Sequence, residues 1–324
     1  MNYLEIITNL HHDDIDRLNA RIEARLGTAS PLMSKIILSL LRTKGKQIRP
    51  LLLMMCAKLF GASGDKMYAA AAAIELIHNA SLIHDDVVDN SPVRRGRPTV
   101  NAVWDNHIAV LVGDYFTSSA MNEAIATGDI RIIDTLCALG RDLSLGEIDQ
   151  IYSARQHTLS EDDYFHIIDY KTASLFVASA RMGCLVAGAP ADKTEALAHF
   201  ALLFGRCFQL RDDIFDYYDA ETVGKPTGND LREGKVTLPL LKALDTGAPG
   251  CEAIRAMLEK DMLTDEEIGV IQRFARDNGG IDSTYAVMND LRKQAFEQLA
   301  LIDDDETIRQ QLAELFDFVI ARKF

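Results

Sequence analysis

The chain of 324 residues, 48% of them hydrophobic, is long enough to bury a large core as one big domain or as two ordinary ones. Its formal net charge of −14 argues against a nucleic-acid partner, because phosphate backbones are bound by basic surfaces. The chain shows neither a signal-like opening region nor an apolar run approaching the roughly 18 residues of a membrane span, so we expect a cytoplasmic protein without a transmembrane segment.

Helical periodicity dominates the chain. Apolar residues recur at three- and four-residue spacing over residues 68–84, 109–126, 167–187 and 196–218, and alternating strand patterns are almost absent. Glycine and proline mark the turns between these segments, and no Ser/Gly-rich linker separates them. We therefore predict an all-α fold, built as a single large helical domain over residues 1–324.

A basic loop with one glycine, Lys44 to Pro50, precedes an apolar helical segment. Pro50 suits the first turn of a helix, and a helix N-terminus beside Lys46 and Arg49 is a favourable place for a phosphate group. A solvated loop in front of a helix explains the same residues equally well if they are taken alone.

The first acidic motif, Asp85-Asp86-Val87-Val88-Asp89, ends the next helical segment. Positions i and i+4 of a helix differ by about 40° of rotation, so Asp85 stacks over Asp89 and the two like charges repel. Pro92 follows within one turn, which places the motif near a helix C-terminus, where the helix dipole also disfavours anions. Mg²⁺ offsets both penalties because it binds through a few carboxylates and substrate phosphates. An acidic helix face is the alternative interpretation of a single such motif.

Three further features flank this motif. His78 lies two helical turns before Asp85 on the same stripe, and Ser81 lies one turn before it. Arg94-Arg95-Gly96 follows the motif closely, and the guanidinium fork suits the paired oxygens of a diphosphate. A core histidine is the simpler interpretation of His78 alone, but its place on the acidic stripe favours a ligand-binding role.

The pair Lys171-Thr172 lies in the middle of an apolar helical segment. Burying a lysine in such surroundings is costly unless its ammonium group meets an anion. We therefore expect an anionic ligand at this position.

The second acidic motif, residues 212–216, repeats the Asp-Asp-x-x-Asp pattern. Gln209 precedes it by three residues, and Lys225 and Lys235 follow in a turn-rich segment. Two such motifs in apolar surroundings, together with these cations, predict a pocket for the diphosphate ester of a hydrophobic chain, bound through Mg²⁺.

Taken together, these motifs resemble those of the trans-isoprenyl diphosphate synthases. That family has a Gly-Lys-x-x-Arg-Pro loop, an Asp-rich motif followed by Arg-Arg-Gly, a Lys-Thr pair and a second Asp-rich motif, and all occur here in this order from Gly45 to Lys235. Lys44 is a departure, since the family usually has glycine there. The resemblance implies a helical bundle of the isoprenyl diphosphate synthase type, with a central active-site cavity and usually assembled as a homodimer.

The resemblance also assigns substrates and residue roles. The substrates are isopentenyl diphosphate and an allylic diphosphate, with three Mg²⁺ ions per active site when substrate is bound. The implied direct metal ligands are Asp85, Asp89 and Asp212, with Asp86, Asp213 and Asp216 acting through water. The implied ligands of isopentenyl diphosphate are Lys46, Arg49, His78 and Arg95. Those of the allylic diphosphate are Arg94, Lys171, Gln209, Lys225 and Lys235, with Thr172 beside the reacting carbon.

The helix that carries the first acidic motif also indicates the length of the product. The small side chain of Ser81 leaves room below the metal site for a growing hydrocarbon, and Ile77 lies deeper along the same helix. The resemblance adds Ala80, a position that is often aromatic in synthases of short products. The first motif also lacks the two-residue insertion typical of bacterial geranylgeranyl synthases. We therefore predict a medium- or long-chain product of the octaprenyl class that supplies quinone side chains.

Other functions remain as alternatives. A geranylgeranyl or farnesyl diphosphate synthase differs only in product length. A class I terpene cyclase normally carries a different second metal motif, and a non-catalytic subunit of a heteromeric synthase is expected to lose its acidic motifs. Transient membrane contact is left open as a route for product release. Residues 322–324 are expected to form a solvated terminus; the alternative, which the resemblance adds, is a tail that folds over the substrate.

Overall fold

The computed structural model describes residues 10–42, 45–156, 160–219, 227–260 and 262–322. The chain divides into two compact units, each assembled from three separate stretches of sequence. Unit 1 comprises Met1–Gly140, Leu175–Ala198 and Leu301–Leu312, and unit 2 comprises Arg141–Ser174, His199–Ala300 and Ala313–Phe324. The organisation of residues 1–324 as one domain remains a prediction.

Helices make up most of the described structure, which confirms the predicted all-α fold. Within the described residues, the strands form one short antiparallel ribbon, and a π-helical segment, Asp169–Ala173, joins two α-helices. In chain order the elements are α1 (His12–Leu26), α2 (Pro31–Leu41), α3 (Ile48–Leu59), α4 (Asp65–Val88), β1 (Val93–Arg94), β2 (Arg97–Pro98), α5 (Val100–Val103), α6 (Asn106–Ala126), α7 (Ile130–Gln156), α8 (Glu161–Ile168), α9 (Ser174–Ala187), α10 (Ala191–Asp216), α11 (Asn229–Arg232), α12 (Leu238–Asp245), α13 (Cys251–Leu258), α14 (Asp265–Asp277), α15 (Gly280–Leu299) and α16 (Glu306–Ala321).

Helix α4 of unit 1 is packed on several sides, along α6 and against α1 and α3. Its alanines at 69–73 are fully buried, and such small side chains allow neighbouring helices to approach closely. Buried Glu123 of α6 pairs with Arg21 and Arg25 of α1, which fixes α1 against this pair of helices. The packing holds the acidic end of α4 in a defined position.

In unit 2, α12 packs against α14 and α15 and also contacts α8. The first residue of α15, Gly280, lies so close to α12 that a Cβ atom there would come within 2.0 Å of the Pro239 carbonyl oxygen. The rings of Phe200 and Phe204 on α10 pack with that of Phe316, with centroids 5.5 to 6.4 Å apart. This aromatic core anchors α10, which carries the second acidic motif at its C-terminal end.

The predicted helical segments match the structure closely, with two exceptions. Residues 68–84 and 109–126 lie within α4 and α6, whereas 196–218 runs two residues past the end of α10, and 167–187 includes the end of α8, the π-helical segment and α9. None of the described helices is long and apolar enough to cross a membrane.

Candidate active site

The first acidic motif ends α4, as the sequence predicts. Asp85 and Asp86 lie in the last turn, and Asp89 caps the helix C-terminus. The buried Asp86 carboxylate accepts a hydrogen bond from Arg94 Nε at 2.7 Å. Burial raises the pKa of Asp86 above its usual value, although the Arg94 guanidinium acts in the opposite direction. The Asp86 carboxylate therefore already pairs with a cation of the protein, which fits a role at a metal site through a bridging water.

A tight turn between β1 and β2 presents Arg95. The two turn residues, Arg95 and Gly96, have φ angles of 51° and 73°, as in the type I′ turns that join closely paired strands. The Arg95 guanidinium lies directly on Gly45, where a Cβ atom would come within 2.6 Å of Arg95 Nη2. Any side chain at position 45 would therefore displace this guanidinium.

His78 lies among three arginines of unit 1. Arg49 Nη1 lies 3.2 Å from His78 Nε2. A guanidinium can only donate, so Nε2 accepts and the imidazole is neutral. Burial and the positive charges of Arg49, Arg95 and Arg94 hold the pKa of His78 well below its usual value. Three guanidinium groups around a neutral histidine form a positive cluster that suits an anion.

Glu75, one turn before His78 on α4, is a further member of this cluster that the sequence analysis missed. Its carboxyl is buried, and burial raises its pKa to about 7 although Arg49 and Arg95 favour the charged form. A glutamate three residues before a histidine on a predicted core helix is the signal that could have found it.

The residues predicted to line a hydrocarbon passage lie on α4 just before the acidic motif. Ala80 is 1% exposed and Ile77 is also buried, whereas Ser81 is half-buried. Ser81 Oγ donates to the carbonyl oxygen of His78 at 2.9 Å. A larger side chain is thus accommodated more easily at Ser81 than at Ala80.

Unit 2 contains a cavity of about 810 Å³, part of it open to solvent. Its walls come from α7, α8, the π-helical segment, α10, α11 and the segment between α11 and α12. The structure brings together in this cavity four residues that were predicted to bind or surround the allylic diphosphate: Lys171, Thr172, Gln209 and Lys235.

A chain of hydrogen bonds runs along one wall of the cavity. Thr172 Oγ1 donates to Gln209 Oε1 at 2.8 Å, and Gln209 Nε2 donates to Asp213 Oδ1 at 2.7 Å. The Tyr164 hydroxyl donates to the other Asp213 oxygen. Asp213 is 1% exposed, and burial together with nearby Asp230 raises its pKa well above the usual value. Both carboxylate oxygens are engaged by protein donors, which again fits an indirect role.

Lys171 has an anionic partner within the protein, which the sequence analysis did not anticipate. Its ammonium group pairs with Glu147 of α7, and the two side chains are 23% and 14% exposed. A Cβ atom on Gly146 would come within 2.7 Å of the Lys171 backbone nitrogen, so this glycine allows α7 to pack on the π-helical segment. π-Helical turns are rare and frequently occur at functional sites.

Asp216 ties the second acidic motif to the segment that follows it. Its carboxylate accepts hydrogen bonds from the backbone N–H groups of Asn229 at 3.2 Å and Asp230 at 3.0 Å. Asp230 lines the cavity, where burial and the charge of Asp216 raise its pKa to about 7. No motif in the sequence pointed to Asp230 or to Tyr164, because each reaches the site only through the fold.

Arg322 corrects the expectation of a solvated terminus. Its side chain is 10% exposed and forms an ion pair with Asp212, whose side chain is 39% exposed. The guanidinium also lies over the Phe208 ring at 4.6 Å, and Arg211 Nε donates to the Arg322 carbonyl oxygen at 3.0 Å. These contacts oppose the conformational entropy that is lost when this residue is ordered. Lys323 and Phe324 lie outside the described residues.

The donor set fits Mg²⁺ that is shared with a substrate. No three acidic, histidine or cysteine side chains in the described part of the chain are gathered closely enough to hold a metal ion by themselves. Mg²⁺ usually takes one or two carboxylates from a protein and fills its other positions with phosphates and water. Asp212 pairs with Arg322 as Asp86 pairs with Arg94, but the Asp212 side chain is 39% exposed and that of Asp86 is 8% exposed, so the Asp212 carboxylate is the more accessible to a metal ion.

Two further cations were predicted to bind substrate, Lys46 and Lys225. Lys46 is exposed, just before α3. Lys225 lies outside the described residues, as does Lys44, the position at which the sequence departs from the family pattern.

Comparison with known proteins identifies the family to which the chain belongs. The family model described as polyprenyl synthetase matches residues 30–273. Octaprenyl diphosphate synthase of Escherichia coli K12 is 36% identical over 259 residues, 79% of this chain and 80% of that protein. A decaprenyl diphosphate synthase structure from Rhodobacter capsulatus has a TM-score of 0.93 at 33% identity, covering 99% of each chain. A polyprenyl synthase from Caulobacter crescentus CB15, complexed with calcium and isoprenyl diphosphate, has a TM-score of 0.92 at 33% identity, covering 100% of this chain and 99% of that one. The chain therefore belongs to the polyprenyl synthetase family, a family of prenyltransferases.

Proposed function

We propose that this protein is a trans-polyprenyl diphosphate synthase that condenses an allylic diphosphate, such as farnesyl diphosphate, with successive molecules of isopentenyl diphosphate. The cavity of unit 2 carries the proposal, because Lys171 and Lys235 line it together with the polar pair Thr172 and Gln209. The arginine cluster around His78 in unit 1 supplies a further anion site. Two such sites fit two diphosphate substrates.

The allylic diphosphate binds through the cavity of unit 2. The ammonium groups of Lys171 and Lys235 bind its phosphate oxygens, and Thr172 and Gln209 lie beside the reacting carbon. Family resemblance adds Arg94 and Lys225 to this set of cations.

Both acidic motifs bind Mg²⁺, with three ions per active site when substrate is present. Direct ligation falls to Asp85, Asp89 and Asp212. When bound, the metal neutralises charge that develops on the leaving diphosphate. The water-mediated ligands are Asp86, Asp213 and Asp216, whose oxygens already accept hydrogen bonds within the protein. Asp86 accepts from Arg94, Asp213 accepts from Tyr164 and Gln209, and Asp216 accepts from backbone N–H groups.

Isopentenyl diphosphate binds to the arginine cluster of unit 1. Arg49 and Arg95 supply paired donors to its phosphate oxygens, and His78 and Lys46 complete the set. The neutral state of His78 leaves one imidazole N–H as a donor, because Nε2 already accepts from Arg49.

The reaction is electrophilic prenyl transfer. The bond between the allylic carbon and the diphosphate oxygen breaks, and the electron pair leaves with the diphosphate. The double bond of isopentenyl diphosphate then attacks the allylic cation and forms a carbon–carbon bond. A proton is lost to restore the double bond, and the released diphosphate accepts it. Lys171 and Lys235 stabilise the diphosphate as it leaves, where negative charge develops.

The product is a medium- or long-chain polyprenyl diphosphate of the octaprenyl class, made for a quinone side chain. The octaprenyl and decaprenyl activities named for the relatives support this length. Product sizing tests it: the purified chain is incubated with farnesyl diphosphate, excess isopentenyl diphosphate and Mg²⁺. We expect products of the octaprenyl class, whereas geranylgeranyl diphosphate alone would contradict the proposed length and favour the short-chain alternative.

The enzyme acts as a homodimer, as family resemblance implies. Light scattering on the purified protein is expected to give the mass of two chains. The mass of one chain at the concentrations used for activity would contradict this assembly.

Replacement of Gly45 by alanine tests the role assigned to Arg95. The new Cβ would collide with the Arg95 guanidinium, which is the flexible end of its side chain, so the guanidinium moves while the fold is kept. We expect the KM for isopentenyl diphosphate to rise about tenfold, as for loss of one charge-assisted hydrogen bond, with little change in the KM for farnesyl diphosphate. Steady-state kinetics with each substrate varied in turn measures both constants.

The matched control is Gly140→Ala, at a position where a new Cβ meets no atom within 4 Å. Its KM for isopentenyl diphosphate should equal that of the wild type. An unchanged KM in Gly45→Ala as well would remove Arg95 from the isopentenyl diphosphate site.

Substitution of Ser81 by phenylalanine tests the hydrocarbon passage. Ser81 is half-buried, so the ring can enter the passage without the overpacking expected at Ala80, which is enclosed. We expect shorter products in Ser81→Phe, measured by the same product sizing, and an unchanged distribution in Ser39→Phe on the exposed face of α2. Wild-type products from Ser81→Phe would show that the chain grows elsewhere.

A further inference from the structure

The side chain of Gln150, on α7, lies between the two lysines of the unit 2 cavity. One of its amide heavy atoms is 3.0 Å from Lys171 Nζ and 3.2 Å from Lys235 Nζ. The same atom lies 3.4 Å from Glu147 Oε1, but the two ammonium groups are closer and can only donate hydrogen bonds, so we assign it as the carbonyl oxygen of Gln150. A single oxygen therefore accepts from both ammonium groups and holds them within reach of one ligand.

Each lysine also has its own carboxylate. Lys171 pairs with Glu147, one turn before Gln150 on α7, and Lys235 pairs with Glu233. These ion pairs fix each cation separately, whereas Gln150 is the contact that they share. Its position also ties Lys235, which lies between α11 and α12, to α7.

The neutrality of this contact matters for anion binding. A carbonyl oxygen orients two ammonium groups without adding a further negative charge to those of Glu147 and Glu233. A carboxylate of the same shape would neutralise part of that charge and repel the ligand. An apolar side chain of the same length would leave the two like charges without their common acceptor.

We infer that Gln150 is a positioning residue that sets the spacing of Lys171 and Lys235 so that both bind the diphosphate of the allylic substrate. The inference rests on the proposed function for the identity of that substrate. The two ammonium groups themselves require only a ligand with closely spaced anionic oxygens.

Two substitutions of Gln150 separate position from charge. Gln150→Met keeps the length of the side chain and removes the acceptor, and Gln150→Glu keeps the shape and adds a negative charge. Gln156 lies on the same helix, is exposed and is not part of the cavity wall, so Gln156→Met and Gln156→Glu are matched controls. The KM values for farnesyl diphosphate and isopentenyl diphosphate are measured separately, and calorimetry gives the Kd for inorganic diphosphate with Mg²⁺.

We expect Gln150→Met to raise the KM for farnesyl diphosphate about tenfold, and Gln150→Glu to raise it further, with the KM for isopentenyl diphosphate within about twofold of wild type. The Kd for inorganic diphosphate should weaken in the same order. Equal effects on both substrates, or a Gln150→Glu variant that binds diphosphate like the wild type, would overturn the inference. A wild-type protein without turnover would instead refute the proposed function, and the calorimetric comparison would still decide the role of Gln150.

Discussion

Replacing Asp85 by asparagine is expected to lower kcat by about a thousandfold, which corresponds to roughly 4 kcal/mol of lost transition-state stabilisation. Asp85 lies in the last turn of α4, where the helix dipole and the neighbouring carboxylates disfavour a negative charge in the absence of a cation. Asparagine keeps the shape of the side chain but supplies no charge to a metal ligand set. Steady-state assays over a range of Mg²⁺ concentrations measure the loss and show whether added metal restores it.

Two comparisons sharpen this prediction. Asp134→Asn removes an exposed carboxylate on α7 and should keep wild-type kcat. Asp86→Asn should cost less than Asp85→Asn, because the Asp86 carboxylate holds Arg94 Nε instead of binding metal directly. If Asp85→Asn keeps more than about a tenth of the activity, the direct ligand assignment is wrong.

Loss of the Lys171 ammonium group is expected to lower kcat by about a hundredfold, or roughly 3 kcal/mol, because in the proposed reaction that cation stabilises the diphosphate as it leaves. The single variant Lys171→Met is a poor test, since it strands the largely buried carboxylate of Glu147 and destabilises the fold. The double variant Lys171→Met/Glu147→Gln removes both charges and retains their volumes. It should unfold in urea at nearly the wild-type midpoint and still show the loss in kcat.

The kcat and the urea midpoint of the double variant together separate an effect on catalysis from an effect on folding stability. A drop in kcat that persists in the stable double variant assigns the effect to the missing cation. Recovery of wild-type kcat in the double variant would mean that Lys171 serves only to pair with Glu147.

Helix positions were the most predictable part of the fold. The 3.6-residue period of buried side chains placed a helix over 68–84, and α4 extends it to Asp65–Val88. Proline and glycine breaks placed both acidic motifs at helix C-termini, where the structure also has them. These features depend on neighbours in sequence, which a single sequence displays directly.

The sequence predicted which residues form the candidate site, but not all of the contacts that those residues make. The sequence grouped Lys171, Thr172, Gln209 and Lys235 by family resemblance, and the fold brings them into one cavity. Glu147 and Gln150 escaped notice because their contacts with Lys171 join residues more than twenty positions apart on different elements. Nothing in their local pattern distinguishes them from other polar residues of α7.

The π-helical segment and the chain end were missed for a related reason. Local sequence favours helix over 167–187 but does not decide between α- and π-type hydrogen bonding. The close approach of Gly146 on α7 to this segment joins residues distant in sequence, so it could not be read from the local pattern either. The place of Arg322 depends on Asp212 and the rings around it, and a terminal residue offers no periodicity from which such contacts can be read.

The measurement that tests the account most directly is the stoichiometry of diphosphate release. The purified chain is freed of metal with a chelator and then given Mg²⁺, farnesyl diphosphate and radiolabelled isopentenyl diphosphate, each also omitted in turn. We predict one diphosphate released for each isopentenyl unit incorporated into a longer prenyl chain, and only when Mg²⁺ and both substrates are present. Diphosphate release without incorporation, a cyclic hydrocarbon product, or no turnover by the chain alone would contradict the proposed prenyl transfer.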